Sequence, residues 1–128
     1  MSTTFFAPQL IVQDGAAAIE FYKNAFAIKE VRRWSNDDGS VHVAELSFNG
    51  AMFHIKQEQT EQSRLSPATA KGYTAIIGVF VDDVDIIVEM ALNNGATLLN
   101  APQDHEYGYR QANIKDPFGH EWLIEKKI

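Results

Sequence analysis

FFAPQLIVQDGAAAIEFYKNAF (residues 5–26) and TAIIGVFVDDVDIIVEMALNNG (residues 74–95) decide the fold. Each runs from an apolar, strand-like stretch through an aspartate into an amphipathic helix. The two aspartates, Asp14 and Asp83, stand 69 positions apart (83 − 14 = 69). The offset recurs at the far end of each half. Ala51 opens a strand after the Asn49-Gly50 turn and His120 opens one after Asp116-Pro117-Phe118-Gly119, again 69 apart (120 − 51 = 69). The chain reads as one structural unit written twice. Two similar half-sheets facing each other would leave a concave pocket between them, and pockets are where small molecules bind.

Working outward, Phe5 to Gln13 is an apolar run, with Pro8 tolerable near a strand start or edge. Asp14 is a good N-cap for a helix from Gly15 to Ala27, whose Ile19, Tyr22 and Phe26 fall on one face. Ile28 to Ser35 reads as a strand, Asn36 to Ser40 as a turn, and Val41 to Phe48 with Ala51 to Glu58 as a hairpin across Asn49-Gly50. The polar stretch from Gln57 to Gly72 reads as a linker or a flap. Thr74 to Val81 is a second strand–helix start, with Asp82 or Asp83 as the cap. The helix carries the stripe Val84, Ile87, Val88, Ala91 and Leu92 and stops at Asn94-Gly95. Thr97 to Gln103 is a strand, followed by a loop through His105 to Gly108. Tyr109 to Lys115 and His120 to Ile128 form the last hairpin. The order β-α-β-β-β, twice, predicts an α+β fold: two βαβββ modules forming a curved, cup-shaped mixed sheet with helices on its outer face. A single domain over residues 1–128 is expected, with module 1 at about 5–58, a linker at about 59–72 and module 2 at about 73–128.

Composition narrows the function. At 128 residues, 45% hydrophobic and 22% charged, the chain has ordinary globular proportions. Its formal net charge of −6 disfavours nucleic acid, whose phosphates require a basic surface. It has no cysteine, hence no disulfide and no thiolate chemistry. No apolar run is long enough to cross a bilayer, and Met1 to Phe6 lack a signal peptide's basic start and apolar stretch. The expected location is cytoplasmic, with no membrane partner. Ser–His–Asp order, a phosphate-cradling glycine loop and a dinucleotide fingerprint are all missing.

The segments GAAAIEFYKNAF (15–26), VDDVD to NNGA (81–96) and YGYRQANIKDPFGHEW (107–122), in this element order, resemble the vicinal oxygen chelate superfamily, and within it the PhnB-like, glyoxalase-like branch. Glyoxalase I, extradiol dioxygenases, fosfomycin-resistance enzymes and bleomycin-resistance proteins belong to that superfamily, and the resemblance covers nearly the whole chain. It implies the tandem fold, a homodimer and a small-molecule pocket, but not one reaction. Metal-dependent members place four ligands, usually His, Glu or Gln, on inward positions of the first and last strand of each half. Aligned on Phe21-Tyr22 and on the hairpins, those positions are Ala7, His54, Ile76 and Leu123, and the repeat pairs them (76 − 7 = 69, 123 − 54 = 69). Only His54 carries a donor, whereas a catalytic metal needs about three protein ligands. No metal ligand set is assigned and no cofactor is expected. A divalent metal with shifted ligands, drawing on Gln9 or Glu121, is the alternative.

Pairing arithmetic gives the rest of the pocket. A two-residue turn at Asn49-Gly50 sets Ser47 opposite Met52 and Glu45 opposite His54, on one side of the sheet. Lys56 shares that side by alternation, and Gln9 joins it from the first strand. A four-residue turn from Lys115 to His120 would set Ala112 opposite Leu123 and Arg110 opposite Glu125. Tyr109 lies on the approach to Arg110, in a composition that suits a pocket rim. A cross-strand Glu–His or Arg–Glu pair is commonly a stabilising contact. In a pocket, Glu45 beside His54 would instead fix the imidazole tautomer for acid–base catalysis or ligand anchoring, and Arg110 could fork onto a carboxylate or phosphate.

Three functions fit these residues. The first is a metal-free binder of a small organic ligand, anionic or aromatic, like the bleomycin-resistance-type members. The second is a metal-independent lyase or isomerase with His54 as general base and Glu45 orienting it. The third is a metal-dependent glyoxalase or dioxygenase relative with shifted ligands. Whether the chain is an enzyme is left open by the sequence. The candidate catalytic pair is His54 and Glu45, and the candidate ligand-binding set is Gln9, Met52, Lys56, Tyr109, Arg110, Leu123 and Glu125.

Overall fold

The computed structural model describes residues 3–128. The first module comprises β1 (Gln9–Val12), α1 (Gly15–Phe26), β2 (Lys29–Ser35), β3 (Val41–Phe48) and β4 (Ala51–Gln57). A single 3-10 turn (Thr60–Gln62) and the short helix α2 (Pro67–Ala70) lead into the second: β5 (Ile76–Phe80), α3 (Val84–Asn93), β6 (Thr97–His105), β7 (Tyr109–Lys115) and β8 (Glu121–Lys127). The fold is α+β, in two tandem modules. Each forms its own four-stranded mixed sheet, in the orders β1-β4-β3-β2 and β5-β8-β7-β6. No helix among the described residues is long and apolar enough to cross a membrane.

The duplicated aspartates cap the two long helices in the same way. Asp14 accepts a hydrogen bond from the Ala17 N–H and Asp83 from the Ile86 N–H, each at 3.1 Å. Each cap satisfies one of the amides that a helix start leaves without an internal partner. β1 is shorter than expected because Pro8 has no N–H to offer the ladder; only its carbonyl is used, by the His54 N–H at 2.8 Å. The segment between the modules is tied down rather than loose. The Glu58 carboxylate accepts from both the N–H and the hydroxyl of Ser66, at 2.8 and 2.9 Å, and Ser66 caps α2. The helix leaves no room beside Gly119, where an added Cβ would lie 2.8 Å from the Pro67 Cβ at a φ of +95°.

The first hairpin has the expected turn, and the second is one residue longer than expected. In the first, Asn49 (φ 50°) and Gly50 (φ 92°) make the two-residue turn, and Glu45 lies opposite His54 and Ser47 opposite Met52. In the second, five residues rather than four separate the paired positions, because Lys115 lies opposite Glu121. Asp116 causes the difference. Its carboxylate accepts from the Phe118 and His120 N–H groups at 2.9 and 3.0 Å, drawing His120 into the turn. The expected pairs Arg110–Glu125 and Ala112–Leu123 are thereby corrected: Arg110 faces Lys126, Gln111 faces Glu125, and Asn113 faces Leu123.

The helix-side faces of both sheets contribute to one core, in which Tyr22, Ile19, Leu46, Ile55, Ile114, Trp122 and Ile124 are at most 2% exposed. Trp122 and Ile124 lie under the helices, as alternation along β8 requires. Trp122 stands at the centre, its ring centroid 4.9 Å from Phe26, 5.5 Å from Phe53 and 5.6 Å from Tyr22. Asp116 is 3% exposed and accepts at its second oxygen from the Tyr22 hydroxyl of α1 and from the Trp122 indole N–H (3.0 Å). The ring contacts between the modules lie on this helix side, as do the hydrogen bonds that Asp116 makes. Residues of both modules line cavities beside β1 and β5.

Removing the acceptor from this network strands four donors. Asp116→Ala should cost about 4 kcal/mol in urea unfolding and Tyr22→Phe about 2 kcal/mol, because hydrogen bonds to a charged partner contribute about 1.5–3 kcal/mol each. Burial, followed by the neighbouring Asp116 charge, raises the Tyr22 phenol well above its ordinary range. A raised folded-state value means that the stabilisation is complete below the unfolded tyrosine value of about 10 and is lost as pH rises beyond it. The wild type should therefore lose stability above about pH 10 more steeply than Tyr22→Phe, with the difference between the two proteins isolating this hydroxyl.

Candidate functional site

The candidate site is the free face of the first sheet. The strand registers set four polar side chains in one row across it: Arg32 on β2 opposite Glu45 on β3, opposite His54 on β4, opposite Gln9 on β1. The next row is Trp34, Val43, Lys56 and Ile11. On the other side of the polar row lie Lys29, Ser47 and Met52. Adjacent strands are about 4.8 Å apart, so Arg32 and His54 are rooted roughly 10 Å from one another.

Arg32 reaches this face through a β-bulge. The register slips between Glu30 and Arg32, so Glu30 and Arg33 stay on the helix side while Arg32 and Trp34 turn to the free face. Glu30 pairs there with Lys23 of α1 at 3.1 Å and with Arg33 at 2.6 Å. The Arg32 guanidinium lies over the Trp34 ring, 4.4 Å from its centroid. Sequence reasoning left Trp34 without a side and passed over Arg32 and Lys29, because nothing in KEVRRWS announces a bulge.

The row is unsatisfied. Among the described residues, Arg32, Glu45, Lys56 and Gln9 have neither an ion pair nor a side-chain hydrogen bond, and the Nδ1 atom of His54 is buried with no partner. The expected Glu45–His54 pair is therefore opposite in register but not hydrogen-bonded, and the carboxylate does not fix the tautomer.

The free face of the second sheet is the reverse. Glu125, 7% exposed, accepts from the Gln111 amide at 2.8 Å, and Gln111 in turn accepts from the Tyr107 hydroxyl at 2.5 Å. Glu121 accepts from the Asn113 amide at 2.9 Å and from the Tyr73 hydroxyl. Asn100 donates to Asn113 at 3.3 Å. Leu123 lies on this face between the two glutamates, and Tyr109 packs edge-on to Phe80 at 5.9 Å. Arg110 is elsewhere. It points to the helix side, where it forks onto Asp85 of α3 at 2.8 and 2.9 Å and holds Asp104 at 2.9 Å. These two carboxylates hold its guanidinium protonated even more firmly than usual. Arg110 is a strut between α3 and β6, not a ligand anchor.

The positions implied as metal ligands do not fit a divalent ion. His54 is the sole donor among Ala7, His54, Ile76 and Leu123, and no group of three or more His, Asp or Glu side chains converges as a metal site would require among the described residues. A cavity of about 660 Å³ adjoins the row at the edge of β1. It is lined by Gln9, Ile11, Leu65, Pro67, Tyr73 and His120, among others. The His120 ring is within 2.8 Å of the Ile11 carbonyl, so it ties the second module's turn to β1 rather than reaching into the row.

Comparison with known proteins agrees with this architecture. The chain is 34% identical over 125 residues to an uncharacterized protein of Mycobacterium tuberculosis, Rv0887c, covering 95% of this chain and 74% of that one. It superimposes on a gene product of Arabidopsis thaliana with a TM-score of 0.73 at 25% identity, covering 96% of this chain and 98% of that one. It superimposes on TioX of Micromonospora sp. ML1 with a TM-score of 0.75 at 21% identity, covering 98% and 100%. Residues 4–124 match the family model of the Glyoxalase/Bleomycin resistance protein/Dioxygenase superfamily, and the chain belongs to that family.

Proposed function

We propose that this protein binds a small organic molecule on the free face of its first module, without a resident metal, as a binding member of the superfamily rather than a glyoxalase or dioxygenase. The observation that carries the reading is the contrast between the two free faces. In the second module Gln111, Asn113, Glu121 and Glu125 are hydrogen-bonded to one another or to tyrosines, and Lys115 and Lys127 lie over aromatic rings. The first leaves Arg32, Glu45, His54 and Gln9 in one row with nothing to bond. The buried Nδ1 atom of His54, left without a partner, raises the free energy of the unliganded protein, and a ligand that matches it recovers that cost. Simple acid–base catalysis by His54 has weaker support, because no hydrogen bond from Glu45 orients the ring.

A second copy of the chain is proposed to close the site. Trp34, Ile76 and Phe80 lie on the free faces at 37%, 53% and 57% exposure, an apolar surface that a partner would cover. The cytoplasm is the proposed location, on the lack of a signal-peptide pattern at Met1 to Phe6 and of a long apolar run.

A thermal-shift screen against metabolites and antibiotics should return ligands, since a ligand at a hundred times its dissociation constant adds about 2.7 kcal/mol of stability. His54→Ala should weaken such ligands about tenfold or more while leaving the unliganded melting temperature within a few degrees. Turnover of a bound ligand by the wild type that His54→Ala abolishes would replace the binder with an enzyme. Metal analysis of the purified protein should find well under one divalent ion per subunit; about one tightly held ion would overturn the metal-free reading.

A further inference from the structure

The charge on the first module's free face is opposite to that of the whole chain. The protein carries 17 acidic against 11 basic residues, yet this face gathers Lys29, Arg32 and Lys56 around a single carboxylate, Glu45. None of the three cations has an ion-pair partner among the described residues, while Lys23, Arg33 and Arg110 on the helix side all do. Unpaired cations clustered on one face of an acidic protein create a local field that favours an anion. The cluster has an aromatic floor as well. The indole of Trp34 supports the Arg32 guanidinium from one side, which holds the fork in place and leaves its N–H edges free. Arg32 and His54 are roughly 10 Å apart with Glu45 between them, and Val43 and Met52 border that row with apolar surface on its two sides.

From these placements we infer that the ligand of this face is a planar aromatic anion of about two fused rings. Its carboxylate or phosphate forks onto Arg32 with support from Lys29 or Lys56. Its ring body lies across the row, with Val43 and Met52 at its two long edges, and its far edge hydrogen-bonds His54. The inference rests on the binding role proposed above and adds the chemical class. The geometry matches a bidentate acid on a guanidinium and apolar side chains at the two edges of a ring, and no covalent step is involved.

The test uses the full chain labelled with nitrogen-15 and three probes: 2-naphthoate, 2-naphthyl phosphate and the neutral isostere 2-naphthamide. The two indole N–H signals serve as reporters. Trp34 is 37% exposed beside Arg32, whereas Trp122 is 2% exposed and bonded to Asp116. At least one anionic probe should shift the Trp34 signal and leave that of Trp122 in place, and should bind at least about tenfold more tightly than 2-naphthamide. Which anion binds more tightly separates a carboxylate ligand from a phosphate one. Arg32→Gln should remove about tenfold or more of the anion's affinity and leave that of 2-naphthamide unchanged; Arg32→Lys should retain part of it. Equal affinity for the acid and the amide, or no response to Arg32→Gln, overturns the inference. If both then still depend on His54, the binding role survives and only the anion class falls. A failure of every probe to move the Trp34 signal at about 5 mM overturns the inference outright, and the broader ligand screen then decides the binding role by itself.

Discussion

The Asp116 carboxylate is the constraint from which most of this structure follows. It collects four donors: two backbone amides of its own turn, the indole of Trp122 and the hydroxyl of Tyr22. The first two fix a five-residue turn, the Trp122 indole ties it to β8, and the Tyr22 hydroxyl fastens it to the helix of the other module. A buried carboxylate is costly unless its lone pairs are filled, and here donors from both modules fill them. The carboxylate thereby joins the modules through the core that their helix sides share.

The same turn decides which module carries the candidate site. Its extra residue moves β7 one step against β8, relative to the corresponding strands of the first module. Gln111 and Asn113 then come to lie opposite Glu125 and Leu123 on the free face, while Arg110 goes to the helix side. A residue slip in a sheet moves every side chain to the other surface. The consequence is two faces of similar architecture and different chemistry. The amide side chains of the second module are positioned to donate to its two glutamates, while the first retains cations and an imidazole with no internal partners.

Much of the fold was legible because its signals are local. The capping aspartates, the Asn49-Gly50 turn and the apolar stripe from Ile19 to Phe26 each act within a few residues, and their repetition at one offset revealed the duplication. The pairing of Glu45 with His54 followed from a two-residue turn whose register admits one solution. What stayed hidden depends on single-residue insertions. The bulge beside Val31 brought Arg32 and Trp34 to the site, and the fifth turn residue after Lys115 removed Arg110 from it. Neither leaves a mark in hydrophobic periodicity, because KEVRRWS and YRQANIK sit on strands whose polar and apolar positions alternate imperfectly. The separation of the two sheets was equally invisible, since strand patterns report which face is buried and not what buries it.

Duplication also explains why the unmatched row is informative. Two modules built on one plan start with equivalent positions, and the shifted register of β7 lets the second face satisfy polar groups that the first leaves open. Proteins depart from self-consistent side-chain pairing mainly where function asks for it. On the second face, Tyr107, Gln111 and Glu125 form a closed chain of hydrogen bonds, and such a chain is rigid and unavailable to a ligand. On the first face, the Nδ1 atom of His54 is out of reach of solvent and lacks any partner, which lowers stability without benefit to the isolated chain. Three cations gathered in the same place repel one another and add to that cost. Both penalties vanish together when one molecule supplies negative charge at Arg32 and a hydrogen-bonding edge at His54, so the two departures point to a single occupant.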